Sequence, residues 1–232
     1  MKKFELTAEF VTNVFGKKLF RIKALVAFGD VEKGELGGFI ENEDNLSHDG
    51  NAWVYDNARV SGNARVYDNA RVSGDAWVSG DAWVSDNAWV SGNARVTGDA
   101  WVYDNARVSG DAWVSGNAWV SGNAWVSGDA WVTGDAWVSG NARVSGNAQV
   151  SGNADYAVVT GFGRYFRATT FFRCKDKILR VQCGCFYGDL AQFRKIVKKT
   201  HGDSKYAKEY LAIADLMEFH FSDEEENQEA DE

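Results

Sequence analysis

The chain has no proline and only three cysteines, three histidines and two methionines in 232 residues. Three cysteines form no even disulfide framework, which excludes a small cross-linked scaffold and points to a reducing compartment. No apolar run approaches the length of a membrane span. The opening Met1-Lys2-Lys3-Phe4-Glu5-Leu6 lacks the apolar stretch of a secretory signal. A cytoplasmic protein with no membrane partner is therefore expected. Residues 52–153 contain no histidine, leaving that stretch without the commonest general base. Without proline, corners fall to Gly, Asn and Asp.

What is abundant is a single phrase. Residues 52–153 read Ala-(Trp/Arg)-Val-(Ser/Tyr/Thr)-(Gly/Asp)-(Asn/Asp) in 17 consecutive copies, with Gln149 in the last. Ala and Val sit two apart, so they share one face of a short strand and the residue between them faces the other way. Gly adopts positive φ freely, and Asn or Asp tolerates it best among the rest, so each copy ends in a corner. A period of six with a helix breaker in every copy excludes helices. Identical strands with identical corners stack in parallel, coil upon coil.

The corners count the strands per coil. Asp-Asn replaces the Gly-containing pair at Asp56, Asp68, Asp86 and Asp104, the last three spaced by 18. Every third corner reads Asn69, Asn87, Asn105, Asn123, Asn141, all amides, while the other two sets mix Asn with Asp. Three hexads per coil stack those amides into a ladder. This hexad resembles that of the hexapeptide-repeat family, which implies a triangular, left-handed parallel β-helix; the handedness rests on the resemblance. Gly29-Asp30-Val31, Gly37-Gly38-Phe39-Ile40, Asn45-Leu46-Ser47 and Gly50 to Asp56 resemble the opening of a bacterial and prophage-encoded group of such proteins. Some of that group carry a transferase label by fold alone, and fold does not imply function.

Stacking by 18 sorts the outward residues into three columns. One reads Trp53, Arg71, Trp89, Arg107, Trp125, Arg143, an alternation suited to cation–π stacking. The second reads Arg59, Trp77, Arg95, Trp113, Trp131, Gln149. The third reads Arg65, Trp83, Trp101, Trp119, Trp137, Asp155, with Tyr67 and Tyr103 beside it. All ten Trp are expected to point outward. The third column is the expected binding face, since a large exposed aromatic patch marks an interface; the competing reading is that Trp covers strand backbone within its own ladder.

The flanks are different in kind. Residues 4–13 and 18–28 read as a β-hairpin, and Gly34, Gly37 and Gly38 as a loop leading into Phe39-Ile40. Together, residues 1–51 form a cap over the first coil, whose strand edges are otherwise free to pair. The β-helix is assigned to 52–155. An α+β module follows over 156–221, with strands at 157–160, 168–175 and 178–186, and helices at 190–200 and 205–219. Asp189 caps the first helix and Gly202 ends it; Leu211, Ile213, Leu216 and Met217 line the second. The order strand-strand-helix-helix, with Cys183-Gly184-Cys185-Phe186 and the run from Thr200 to Tyr210, resembles a C-terminal ββαα module of phage and gut-bacterial proteins. Residues 222–232 form an acidic tail, expected to be disordered. Net charge is −2 over 1–51, −4 over 52–153, +5 over 154–221 and −7 over 222–232, totalling −8.

These features favour a non-catalytic rod that binds a second copy of itself or a protein partner through Arg65, Tyr67, Trp83, Trp101, Tyr103, Trp119 and Trp137, with no cofactor. Two alternatives stand. The resemblance brings an acyltransferase, for which His48 is the nearest candidate base, although its phase in the repeat matches Val and suggests a capping role. The basic residues Arg164, Arg167, Arg173, Lys175, Lys195, Lys198 and Lys199 bring contact with nucleic acid or a nucleic-acid-binding protein by the C-terminal module. Cys174, Cys183 and Cys185 with His201 or His220 are the candidate zinc ligands; buried free thiols are the simpler reading.

Overall fold

A computed structural model describes residues 2–222 of the chain. Among them, seventeen two-residue strands, β4 (Trp53–Val54) to β20 (Gln149–Val150), recur every six residues. Each pairs in parallel with a strand 18 residues away, so Trp89 lies between Arg71 and Arg107, and Trp101 between Trp83 and Trp119. The strands form three sheets of a parallel β-solenoid, mainly β in class, followed by two C-terminal helices. Every Ala and Val of the repeat is fully buried. Each buried Val contributes about 1.5–3 kcal/mol, so the core is a sum of many equal small terms.

The corners show why Asp replaces Gly at four of them. Asp56, Asp68, Asp86 and Asp104 all take φ between 53° and 59°, and three of these carboxylates accept a backbone N–H from the coil above: Gly74 to Asp56 (3.0 Å), Asp104 to Asp86 (3.2 Å) and Gly122 to Asp104 (3.0 Å). The added bonds offset the left-handed strain. The amide ladder is present: Asn51 donates to Asn69 (2.9 Å), Asn69 to Asn87 (3.3 Å), Asn87 to Asn105 (3.4 Å) and Asn123 to Asn141 (3.4 Å). On the mixed corners Asn63, Asn93 and Asn117 donate at 2.8 Å to Asp81, Asp111 and Asp135. In these three pairs an amide donor meets a carboxylate, while Asp81 with Asp99 and Asp111 with Asp129 leave like charges one coil apart.

At the edges of each strand pair the inter-coil backbone bonds run from an N–H to a carbonyl 17 residues on, as in Trp53 to Ala70 and Tyr55 to Val72. The first coil is therefore left with bare carbonyls at Ala52, Ala58 and Ala64 and the last with bare N–H groups at Trp137, Arg143 and Gln149, and such groups must find partners. The hairpin of β1 (Phe4–Thr12) and β2 (Lys18–Ala24) and the strand β3 (Leu36–Ile40) extend one sheet. Phe39 N–H donates to Ala58 O (2.9 Å), Lys3 Nζ to Ala52 O (2.9 Å) and Asn45 Nδ2 to Ala64 O (2.8 Å). At the other end Trp137 N–H donates to Asn153 Oδ1 (2.8 Å), Arg143 N–H to Thr170 Oγ1 (2.9 Å) and Gln149 N–H to Arg173 O (2.8 Å).

Two expectations for the N-terminal segment are corrected. Gly37 and Gly38 belong to β3 and not to a loop. They are glycine because a Cβ at Gly37 would strike Val54 O and Ile22, and one at Gly38 would strike Ala58 O. Trp53 does not point to solvent: it is fully buried, with Phe4 and Phe28 edge-on to it at 6.2 and 5.4 Å.

In the C-terminal module β21 (Tyr156–Val159), β22 (Thr169–Phe172), β23 (Arg180–Cys183) and β24 (Phe186–Asp189) form an antiparallel sheet in chain order. Phe172 plugs the end of the solenoid core, while its neighbour Phe171 faces a second core made with α1 (Leu190–His201) and α2 (Lys205–His220). The strand expected at 178–186 is broken by a turn at Gly184-Cys185 (Gly184 φ 59°), giving four strands before the helices where three were expected. Asp155, expected in the third column, lies in a short 3-10 turn, Asn153–Asp155. Asp189 accepts from Gln192 N–H and Gly202 ends α1. Leu216 is 58 % exposed, so Tyr210 and Ala214 join Ile213 and Met217 on the buried face of α2 in its place. No helix among the described residues is long and apolar enough to cross a membrane. The acidic stretch from Asp223 onward lies outside the described residues.

Gly98 and Gly140 share a positive φ (70° and 65°), but a Cβ at Gly98 would meet Gly116 N at 2.9 Å and one at Gly140 would meet nothing. Gly140→Ala should cost about 1–2 kcal/mol, the left-handed penalty alone. Gly98→Ala should add an overpacking cost of about 1–3 kcal/mol, read as the larger fall in urea midpoint. Lys3 supplies a pH test. Burial lowers its folded-state pKa from 10.5 to about 8. Below pH 8 both states are protonated and the buried charge carries its full cost. Between 8 and 10.5 only the unfolded chain keeps the proton, so stability rises with pH. Relative to Lys3→Met, the wild type should gain on the order of 3 kcal/mol across that window in pH-dependent denaturation.

Candidate functional site

The three outward columns are built from the same residue types and differ in what each indole does. On the first two, four Trp N–H groups donate to a hydroxyl sixteen residues back, Trp77 to Ser61 (3.3 Å), Trp89 to Ser73 (3.1 Å), Trp113 to Thr97 (3.0 Å) and Trp125 to Ser109 (3.0 Å), while among the described residues Trp131 makes no such bond. For Trp53 that position is Gly37, which has no hydroxyl, and its buried Nε1 has no partner among the described residues. Arg107 and Arg143 lie over Trp89 and Trp125 at 5.7 and 5.8 Å, as the alternation predicts. Arg71 departs from it and binds Asp30 (2.8 Å). On the second column Trp131 carries Lys175 at 3.7 Å, a cation from the C-terminal module.

The third column behaves otherwise. Sixteen residues before Trp83 and Trp119 stand Tyr67 and Tyr103, which meet those indoles edge-on at 5.6 and 6.4 Å. Before Trp101 stands Ser85, whose hydroxyl donates to Asp86 (3.2 Å). Among the described residues no acceptor meets the N–H groups of Trp83, Trp101 and Trp119; only Trp137 keeps its bond, to Ser121 (3.2 Å). The rings stack on one another: Trp83 and Trp101 at 5.1 Å and 4°, Trp101 and Trp119 at 5.4 Å and 14°, with Trp137 edge-on to Trp119 at 5.9 Å. Arg65 closes the row, 5.8 Å over Trp83. Trp101, Trp119 and Trp137 are 37, 39 and 48 % exposed. The row therefore offers a partner ring edges and free N–H donors, its stacked faces being already occupied.

At its N-terminal end the row opens into a cavity of about 340 Å³, where Arg65, Tyr67 and Trp83 meet Glu43, Asp44, Ser47 and His48. The structure thus joins the candidate base to the start of the aromatic face, two features the sequence left apart. His48 stacks on Phe4 (4.4 Å), its Nδ1 accepts from Lys3 N–H (3.2 Å) and its Nε2 lies 3.6 Å from Glu43. Both nitrogens are turned to the cap. A bond from Lys2 holds the Glu43 carboxyl below its ordinary range. Glu43, Asp44 and Ser47 carry no site signal in the sequence because they lie on and after a short 3-10 turn, Glu43–Asn45, outside the repeat.

The cysteines separate. Cys174 is buried in the solenoid's end, its thiol pushed up to about 11 by burial. Cys183 accepts from Thr169 Oγ1 (3.2 Å) against the second core, and Cys185 is exposed on the turn that follows. Cys183 ends β23 and Cys185 lies in the turn after it, so the two do not share a strand face. His201 lies against Tyr206 and Tyr210, and His220 against Phe221. Among the described residues no three His, Cys, Asp or Glu side chains converge as metal ligands would. Of the basic residues, Arg173 bonds Phe221 O (3.2 Å) and lies 3.7 Å from Asp155, and Lys175 is held on Trp131.

The family model for the YdcK Beta solenoid repeat matches residues 52–66, 64–80, 88–104, 100–116, 112–128 and 136–152. Every matched stretch lies within the hexads. No curated protein matches the chain.

If stacking stabilises the row, a double-mutant cycle on Trp83 and Trp101 should return a coupling of about 0.5–1.5 kcal/mol in chemical denaturation. The same cycle on Trp77 and Trp101, which lie on different sheets, should return about zero within the ~0.3–0.5 kcal/mol additivity limit.

Proposed function

For this parallel β-solenoid repeat protein, we propose the role of a rigid, non-catalytic rod that presents the face Arg65–Trp137 to a protein surface, in the first instance a second copy of itself. The observation that carries the reading is the unbroken stack of Trp83, Trp101 and Trp119 with three N–H donors left over. Indoles that cover only their own backbone would be expected to keep the Ser or Thr bond seen on the other columns, and exposed aromatic rows of this size mark interfaces. Stacked rings leave no face for a planar ligand, which favours an extended protein surface over a sugar or nucleobase. Capping at both ends leaves the side of the rod as the contact surface. We further read the solenoid as a triangular, left-handed helix of the hexapeptide-repeat type, from a bacterial or phage-encoded cytoplasmic protein.

The acyltransferase reading is weaker. Enzymes with this repeat carry their His near a loop projecting from a coil, whereas residues 52–153 hold no His and no insertion, and His48 is committed to Phe4 and Lys3.

Trp101→Ser with Trp119→Ser should leave the far-ultraviolet circular dichroism unchanged and convert dimers to monomers in light scattering. A wild type that is monomeric at all concentrations would remove the second copy as partner. Titration calorimetry with acetyl-coenzyme A separates the alternative: heat of binding that disappears in His48→Ala would favour the enzyme.

A further inference from the structure

The C-terminal module holds a second cavity, about 220 Å³, far in sequence from the aromatic row and with a different chemistry. Its floor is apolar: Phe186, Phe193, Ile196 and Val197. Its mouth carries Arg164 and Arg167, both exposed and both lying against the one ring of Tyr165, at 5.5 and 5.1 Å. Elsewhere in the module Arg180 and Arg194 meet carboxylates at 2.6–2.8 Å. Among the described residues none meets Arg164 or Arg167. The nearby Glu209 is already engaged, accepting from Gly163 N–H (2.9 Å) and pairing with Lys205 (3.5 Å).

The loop that sets these guanidiniums is held in place. Gly163 takes φ 72°, and a Cβ there would run into the Tyr210 hydroxyl. Phe166 takes φ 52°, which a bulky residue adopts only where its surroundings enforce it, and such strain clusters at ligand sites. Burial pushes the Tyr210 hydroxyl up to about 12, so it stays a donor beside the cavity. His201 lies tilted against the same ring at 5.8 Å.

An apolar floor under a few converging polar groups is the make-up of a small-ligand site, and two guanidiniums without a carboxylate suit an anion that can accept from both. We propose that this cavity binds a small organic acid, a carboxylate carried on an aromatic or branched aliphatic body, with the body on Phe186 and Phe193 and the carboxylate between Arg164 and Arg167. A polyanion fits less well. The adjoining solenoid carries −4 and the chain −8, a field that repels a nucleic acid along its length and costs a single small anion little.

The test uses the full chain and ligand-observed NMR with phenylacetate, 3-phenylpropionate, indole-3-acetate and isovalerate, each beside its neutral amide. At least one acid should saturate in the millimolar range or tighter, about tenfold tighter than its amide. Arg164→Gln with Arg167→Gln, both on the surface, should abolish that preference, and Ile196→Trp, which fills the floor from its rim, should weaken the acid by a similar factor. The proposal is overturned if no acid saturates, if amide and acid bind alike, or if the double Arg variant binds as the wild type does. Displacement of the acid by lower concentrations of a single-stranded oligonucleotide would replace it with a nucleic-acid surface.

Discussion

A parallel solenoid ends in coils whose backbone groups have lost the neighbouring coil on one side, and most of what lies outside the repeat serves to finish them. The first coil shows bare carbonyls, and the N-terminal segment supplies donors: the Phe39 amide, the Lys3 ammonium and the Asn45 amide group. The last coil shows bare N–H groups, and the C-terminal module supplies acceptors: Asn153, Thr170 and the Arg173 carbonyl. The logic is that of helix capping spread over three sheets. Burying Lys3 at 3 % exposure is the cost of closing one of those edges.

Once the ends are closed, the sides of the rod become its means of contact. The backbone treats the three columns alike; their difference lies in one position per hexad, the residue after Val. Where it is Ser61, Ser73, Thr97, Ser109 or Ser121, the indole sixteen residues later is bonded down against the wall; Ser85 instead turns to Asp86. Where it is Tyr, the indole loses that acceptor and stacks with its neighbours. Replacing a hydroxyl by a phenol ring thus turns a self-satisfied column into one with donors to spare.

The C-terminal module works as a hinge of chemistry between the rod and a second core. Adjacent residues of β22, Phe171 and Phe172, face opposite ways and belong to different cores, as strand geometry requires. Part of the module's positive charge is used to attach it: Arg173 reaches Asp155 and Phe221, and Lys175 sits on Trp131. Arg164 and Arg167, on the loop between β21 and β22, and Lys195, Lys198 and Lys199 on α1 meet no carboxylate among the described residues.

The parts of the fold that repeat, and the helix caps at Asp189 and Gly202, could be read directly from the chain, because a period of six, a spacing of 18 and a local cap are properties of neighbouring residues and of symmetry. The three columns, the Asn69–Asn141 ladder and the run of Trp83, Trp101, Trp119 and Trp137 all follow from that register. The tertiary structure alone decided where the pattern stops being obeyed. Trp53 has the same neighbours as the other tryptophans but is buried, because residues 4 and 28 fold over it. Gly37 and Gly38 look like a loop until the backbone of the first coil presses on them. His48 joins Arg65, Tyr67 and Trp83 at one cavity, and the loop carrying Arg164 and Arg167 joins Phe193 and Tyr210 at another. Each of these depends on contacts between segments that share no period, and a contact of that kind leaves no mark on the sequence of either partner.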